Sequence, residues 1–185
     1  PVAILETKSS SAYWEALHLR CLWSYGVRPG DKVMWILPMR RAESINFFMS
    51  RTPLSRLVQQ NFIPFDISAG IDVRLLDEII KSGINVLWSQ PSTLSAIINK
   101  MEEYGKSISL KIVITGGEVL TPAIRKKIQD TFHTEVYDRY NAIEFGNIAW
   151  ECPTHTAYHI NADSVVLELR NPKQVGRTTL EGVML

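Results

Sequence analysis

Apolar positions recur along the first part of the chain with two spacings that take turns. One spacing, of three and four residues, puts them on one face of a helix; the other is the short continuous run of a buried strand. Residues 2–6 predict a strand, and residues 9–25 a helix with Tyr13, Leu17, Cys21 and Leu22 on one face and serines at its start. Gly26 and the turn Arg28-Pro29-Gly30-Asp31 stop that helix. Residues 32–37 (KVMWIL) form the unbroken apolar run expected of a parallel strand covered on both faces. The pattern then predicts a helix over 41–50, a short strand near 56–60, a helix over 72–82 and a strand over Asn85–Ser89. Pro91 opens a further helix to about Tyr104, which Gly105 ends. Strand 110–115 leads into Gly116-Gly117; Thr121 caps a helix that has Pro122 at its first position and runs to Phe132, and strand 134–138 follows. His133, where that helix ends, reads as a left-handed stop and not as a base.

Past Gly146 the period becomes two. Residues 147–151, 157–160, 163–169 and 181–185 predict short strands in hairpins with no helix between them. The fold class expected is therefore α/β, a mostly parallel sheet with flanking helices and right-handed crossovers, followed by a small antiparallel β section. The boundary falls between an α/β subdomain over 1–146 and a β-rich section over 147–185. Both ends, Pro1–Leu5 and Gly182–Leu185, lie inside apolar strand patterns, so the chain is expected to be cut from a longer one on both sides.

Composition narrows the function classes. The 185 residues are 45% hydrophobic and 21% charged, which is ordinary for a soluble globular domain. A net charge of +1 gives no electrostatic reason to expect nucleic acid or an acidic membrane as partner. No apolar run approaches the roughly 18–20 residues of a membrane span. Glu6 and Lys8 interrupt any signal-like start. Cys21 and Cys152 are too few and too far apart for a secreted disulfide framework, which points to a reducing cytoplasm.

Ligands of open α/β sheets bind beyond the carboxyl ends of the strands. Three segments stand there: Trp88-Ser89-Gln90-Pro91, Thr115-Gly116-Gly117-Glu118, and Asp138 through Gly146. If their strands are neighbours, all three surround one crevice. Gly116-Gly117 permits either a plain strand-to-helix turn or the close approach of a flat ligand. In 137–144, Tyr140 follows a strand and precedes a loop, so its ring can stack on a base. Asp138 can accept hydrogen bonds from an amine or a ribose, and Glu144 can hold magnesium. The same stretch also reads as a surface loop with one core tyrosine. Cys152, His155 and His159 have a spacing that zinc accepts, but a closed structural site needs four ligands; a buried thiol with two histidines in a hairpin is the favoured reading. Arg125, Lys126 and Lys127 read as a solvated helix face. Trp14, Trp23, Trp35 and Trp150 read as core or rim, while Trp88, at a strand end beside Pro91, is the tryptophan to consider for a ligand pocket.

Taken together and in order, TGGEVLTPAIRKKIQDTF, HTEVYDRYNAIEFGNIAWEC and TAYHINADSVVLEL resemble the adenylate-forming superfamily. Within it the likeness is to the phenylacetate–coenzyme A ligase family and its capsule-biosynthesis relatives. Members share a (S/T)GGE turn, a helix with a basic face, D-x-Y-G-x-(T/S)-E, an E-C pair and a G-x-H segment. GVRPGDKV and VLWSQPSTLSAIINKM fit the same family, so the resemblance covers nearly the whole chain. It implies that a small-molecule carboxylic acid attacks the α-phosphate of ATP to give an acyl-adenylate and pyrophosphate, and that a thiol, usually coenzyme A, then takes the acyl group. It implies that Gly116, Gly117 and Glu118 flank the adenine and the acyl channel, and that Asp138, Arg139 and Tyr140 belong to the adenine site. Glu144 would be the catalytic magnesium ligand. Asn141, Ala142 and Ile143 would line the join between nucleotide and acyl group, with Ser89, Gln90, Pro91 and Gly146 near the acyl pocket.

Two residues depart from the pattern. Asn141 replaces a glycine; asparagine tolerates unusual backbone angles, but its side chain narrows the site beside the acyl group. Ile143 replaces a threonine or serine and removes a hydroxyl near the phosphates. By the same resemblance, the phosphate loop lies upstream of Pro1, and the ribose-binding Asp, the following Arg and the Lys-bearing C-terminal domain lie beyond Leu185. The piece alone is then expected to be inactive. Three rival readings remain: a degenerate member that binds nucleotide without turnover, an adenylyltransferase with a non-CoA acceptor in polysaccharide biosynthesis, and a generic α/β nucleotide-binding module.

Overall fold

A computed structural model describes residues 7–38, 59–65, 70–142 and 144–168. Within them the strands are Lys32–Pro38 (β1), Gln59–Phe65 (β2), Val86–Ser89 (β3), Ile112–Gly116 (β4), Glu135–Ala142 (β5), Gly146–Glu151 (β6) and Tyr158–Ile160 (β7). They form one sheet in the order β2-β1-β3-β4-β5-β6-β7. β1 to β5 pair in parallel, and β6 and β7 add to the same sheet antiparallel. The helices are Lys8–Ser24 (α1), Val73–Lys81 (α2), Pro91–Glu103 (α3) and Pro122–Phe132 (α4).

Side chains of a strand point to alternate faces, and here both faces are covered. Met34, Ile36, Leu87, Val113 and Val136 pack with Leu76 of α2, Ile97 of α3 and Phe132 of α4 on one face. Val33, Trp35, Val86, Trp88, Ile114 and Tyr137 pack with Cys21 and Leu22 of α1 and with Trp150 on the other. This double burial is why the parallel strands read as unbroken apolar runs. The helix ends obey their local signals. Thr7 and Ser10 form a reciprocal capping box on α1, Asp72 accepts from the Leu75 amide at 2.9 Å, and Thr121 accepts from the Ile124 amide at 3.3 Å. His133 ends α4 with φ 51°, in the left-handed region.

Several expectations are corrected. Tyr13 is not on the buried face of α1; it is 39% exposed and its hydroxyl donates to the Asp163 carbonyl, while His18 joins Leu17, Cys21 and Leu22 inside. β2, Gln59–Phe65, extends beyond residue 60, with Pro64 tolerated because the strand is at the edge of the described sheet. β5 continues past residue 138 to Ala142, since β6 pairs with it from Arg139 onward, with a bulge between Tyr140 and Asn141. Residues 163–168 are not a strand: the amides of Ser164 and Val165 fold back on the Asn161 carbonyl. The strand over 2–6, the helix over 41–50, residues 56–58, residue 169 and the strand over 181–185 lie outside the described residues. Among the described residues no helix is long and apolar enough to cross a membrane.

The amino ends of β1, β3 and β4 are tied by one buried carboxylate. Asp31 accepts from the Arg28 amide at 2.7 Å, Asn85 Nδ2 at 2.6 Å and Lys111 Nζ at 2.7 Å. Asn85 in turn accepts from the amides of Lys32, Lys111 and Ile112. Burial works to raise the Asp31 pKa, but the bonds from Lys111, the Arg28 amide and Asn85 outweigh it and hold the carboxyl below its ordinary value. A depressed folded-state pKa contributes stability above the unfolded value and loses it as pH falls through the folded value. Replacing Asp31 with Ala is therefore expected to lower stability by about 1–3 kcal/mol at neutral pH. In urea denaturation the gap to the wild type should narrow below about pH 4.

Candidate functional site

β3, β4 and β5 are consecutive in the sheet, so the segments that follow them lie along one edge at its carboxyl end. Ser89 faces Thr115 in the β3–β4 register, and Gly116 faces Arg139 in the β4–β5 register. Ser89 is buried and its hydroxyl donates to the Ile36 carbonyl at 2.6 Å. Gln90 is the N-cap of α3 without a side-chain cap bond, and Pro91 opens the helix. The cap comes from Glu118, whose carboxylate accepts from the Ser92 amide at 3.0 Å and the Ser92 hydroxyl at 2.8 Å. An acid at a helix N-terminus meets unpaired amides and the positive end of the dipole. Glu118 thus fastens the turn after β4 to the helix after β3.

Both glycines of that turn have a local reason. Gly117 has φ 80°, which side chains rarely adopt. Gly116 is buried, and a Cβ there would lie 2.9 Å from Asn141 Oδ1 and 3.2 Å from the Arg139 carbonyl oxygen. The amide of Asn141 therefore stands directly in front of Gly116.

Alternation along β5 separates the residues expected to share a ligand. Asp138 lies on the face of α4, where Oδ1 accepts from Thr115 Oγ1 at 2.5 Å and Oδ2 from the Tyr158 hydroxyl at 2.6 Å. Its amide donates to Glu151 Oε2 at 2.9 Å and its carbonyl accepts from the Tyr25 hydroxyl at 2.8 Å. Burial, then Asp138 itself, pushes the Tyr158 pKa up, so the hydroxyl stays a donor. Tyr140 is 38% exposed, and Asn141 and Glu144 are exposed as well. Ala142 and Gly146 are half-buried at the β5–β6 hairpin, and a Cβ on Gly146 would meet the Trp14 ring at 3.2 Å. Ile143 lies outside the described residues.

Arg139 points to the opposite face, toward α1. Its guanidinium carbon sits 3.8 Å above the Trp88 ring, which stacks on Trp35 at 3.5 Å between centroids. Arg139 Nε donates to Asn147 Oδ1 at 3.2 Å, and Nη1 lies 3.2 Å from His18 Nδ1. Burial lowers the Arg139 pKa. Burial, and then the Arg139 charge, hold His18 well below its usual value, so its ring is neutral.

The structure thus joins Glu118 to Ser92, Gly116 to Asn141, Thr115 to Asp138 and Arg139 to Trp88. It does not join Arg139 to Asp138. His18, Tyr25 and Tyr158 were not singled out, and Glu151 was noted only as part of the E-C pair; each reaches the site through a partner more than twelve residues away in sequence. Trp35 was read as core or rim; its place opposite Trp88 in the β1–β3 register comes only from the pairing of the strands. Arg125 also departs from expectation: it is not a solvated cation. Nη2 donates to both oxygens of buried Glu151 at 2.8 and 3.0 Å, and Nη1 to the Val136 carbonyl. His155 stacks on Tyr137 and contacts Glu151 and Glu135, whereas His159 packs on Trp150. Cys152 is half-buried, and its hydrogen bond with Thr154 lowers its pKa. Among the described residues no group of three or more His, Cys, Asp or Glu is placed to hold a metal ion.

No family model matches the chain, and no curated protein matches its sequence. Solved structures match its fold. A 2-hydroxyisobutyryl-CoA ligase in the postadenylation state, in complex with 2-HIB-AMP, superposes with a TM-score of 0.74 at 17% identity, over 94% of this chain and 38% of that one. The luciferase-like enzyme of the nonluminescent mealworm Zophobas morio gives 0.61 at 18% identity, over 83% of this chain and 35% of that one. A long-chain-fatty-acid-CoA ligase from Archaeoglobus fulgidus gives 0.57 at 17% identity, over 77% and 30%. The chain spans between 30% and 38% of the length of these three enzymes and has the fold of a segment of them.

Two substitutions test the local geometry. Gly116→Ala is expected to destabilise by about 1–3 kcal/mol through overpacking, and Asn141→Gly to recover part of that loss in the double variant. Additive costs in a denaturation cycle would show that the two residues do not compete for one space. Glu118→Ala is expected to cost about 1 kcal/mol as a lost helix cap, measured by thermal unfolding.

Proposed function

We propose that the chain is the central part of the N-terminal domain of an ATP-dependent carboxylic acid–coenzyme A ligase of the phenylacetate–coenzyme A ligase type. One observation carries the reading. The three segments that the family resemblance assigns to the adenine, the phosphates and the acyl group stand at adjacent strand ends, in a fold shared with acyl-CoA ligases. Residues 1–146 would supply the nucleotide and acyl walls and 147–185 the supporting β-rich section.

The exposed residues fit the groups proposed for them. The Tyr140 ring is open to stack on adenine, and Gly117 and Glu118 lie open beside it at the end of β4. Glu144 is an exposed carboxylate in the turn after β5, suited to a magnesium ion whose other ligands are phosphates. Asn141, Ala142 and Ile143 would line the join to the acyl group, and Ser89, Gln90, Pro91 and Gly146 would lie toward the acid. Asp138 would reach the adenine from a carboxylate that is already anchored. Each of its oxygens already accepts one hydrogen bond, from Thr115 and from Tyr158, so it helps set the position of β5. Bound ATP would supply the α-phosphate that the acid attacks, with pyrophosphate leaving and coenzyme A accepting the acyl group. The chain's own share is positioning and charge stabilisation. Cys21 and Cys152 are both free, in keeping with a cytoplasmic location.

A second reading, a nucleotide binder without turnover, is favoured by one feature: the Asn141 amide fills the space before Gly116 that a glycine at 141 would leave open. A non-CoA acceptor remains compatible with the same site. Pyrophosphate exchange by the full-length protein against a panel of aryl and alkyl acids tests the proposal. Exchange that depends on one class of acid is expected, and Asn141→Gly with Ile143→Thr should raise it. ATP binding by folded protein with no exchange for any acid would overturn the ligase reading in favour of the binder.

A further inference from the structure

We propose that the face of the sheet under α1 holds a subsite for a second acidic group on the substrate acid, beside Trp88, with Arg139 as the residue that selects it. The inference rests on the acid-activation reading above and names the substrate class: acids that carry a carboxylate remote from the one activated.

The starting point is a charge without a partner. Arg139 is 6% exposed, and among the described residues no carboxylate pairs with it. The adjacent acid, Asp138, is turned to the other face and bonded there to Thr115 and Tyr158. Of its five N–H donors, Arg139 gives Nε to an amide oxygen and Nη1 to a neutral imidazole. Neither acceptor carries charge, and stacking on Trp88 offsets only part of the cost of burying a cation.

The groups around Arg139 lack acceptors too. His18 accepts at Nδ1, so its hydrogen is on Nε2, and Nε2 is buried without a partner. Asn147 spends its oxygen on Arg139, and its Nδ2 is buried without a partner. Trp150 faces Arg139 across the β5–β6 register, and its Nε1–H is buried without a partner. Three unpaired donors therefore cluster on one unpaired cation. The remaining unpaired atom, Asn161 Oδ1, is an acceptor whose own amide nitrogen is turned to the Asn147 carbonyl. Buried polar atoms are ordinarily satisfied, and an unmet set of one sign points to what is absent. Water could accept hydrogen bonds here but would not neutralise the charge. A carboxylate does both, and its two oxygens match the guanidinium fork. The Trp88–Trp35 stack beside it gives the acid's carbon chain an apolar wall.

The test uses the full-length protein and acids matched in length: pentanoate against pentanedioate, hexanoate against hexanedioate, and phenylacetate against its para-carboxymethyl derivative. In pyrophosphate exchange, kcat/KM is expected to favour one dicarboxylate by about 30-fold or more over its monocarboxylate. Arg139→Met should collapse that ratio and Arg139→Lys restore part of it. A wild-type protein that exchanges with monocarboxylates at an equal or higher rate overturns the subsite while leaving the ligase reading intact, and this comparison needs no variant to fold. Should no acid support exchange, the ligase reading falls, and calorimetric titration of the same dicarboxylates decides the subsite separately. Saturable binding that Arg139→Met weakens at least about tenfold supports it; no binding, or binding unchanged in the variant, overturns it.

Discussion

In a parallel sheet covered on both faces, each residue belongs wholly to one side or the other, because successive side chains leave the strand in opposite directions. Most of the described structure follows from that period of two. It lets α1 own one core and α2 to α4 the other, and it fixes the two sets of strand residues each core receives. At β5 it has a chemical consequence. Asp138 and Arg139 are neighbours in sequence, yet a carboxylate and a guanidinium that could neutralise each other are held on opposite faces. Each must find its company elsewhere, and the two sides of the site differ in charge for that reason.

The parallel core and its helix ends were legible because their signals are local. An apolar run, a threonine before a proline, or a histidine where a helix must stop acts within a few residues. What was illegible depends on pairing at a distance. Strand 134–138 looked finished because polar residues follow, yet β6 returns and extends it to Ala142. Tyr13 has the right spacing for the core, but Asp163 offers its hydroxyl a partner at the surface. Arg125 looked like one of three solvated cations until Glu151 arrived from another strand. The candidate site was legible as three segments and illegible as geometry: the chain order predicted that they meet, not which side chains face each other.

Asn141 illustrates how a departure from a family pattern can be absorbed. The glycines at 116 and 117 need no ligand to explain them, since Gly117 has a left-handed backbone and Gly116 faces Asn141 at a distance that leaves no room for a methyl. A pattern with glycine at both 116 and 141 leaves a gap between β4 and β5; here one of the two sides fills it. The strands remain paired through the bulge at Tyr140 and Asn141, so the change falls on the space beside the strands more than on the fold.

The distribution of satisfied and unsatisfied groups bears on what that space is for. Three buried acids are answered by donors: Asp31 by three, Asp138 by two hydroxyls, and Glu151 by one Arg125 nitrogen that reaches both its oxygens and by an amide. Among the described residues, three of the four unpaired buried side-chain atoms are donors on residues that bond to Arg139 or face it, and the fourth, Asn161 Oδ1, is an acceptor. Asp138 and Glu151 are met by donors while Arg139 meets no carboxylate among the described residues, so the polarity at this end of the sheet is one that a negative group would complete.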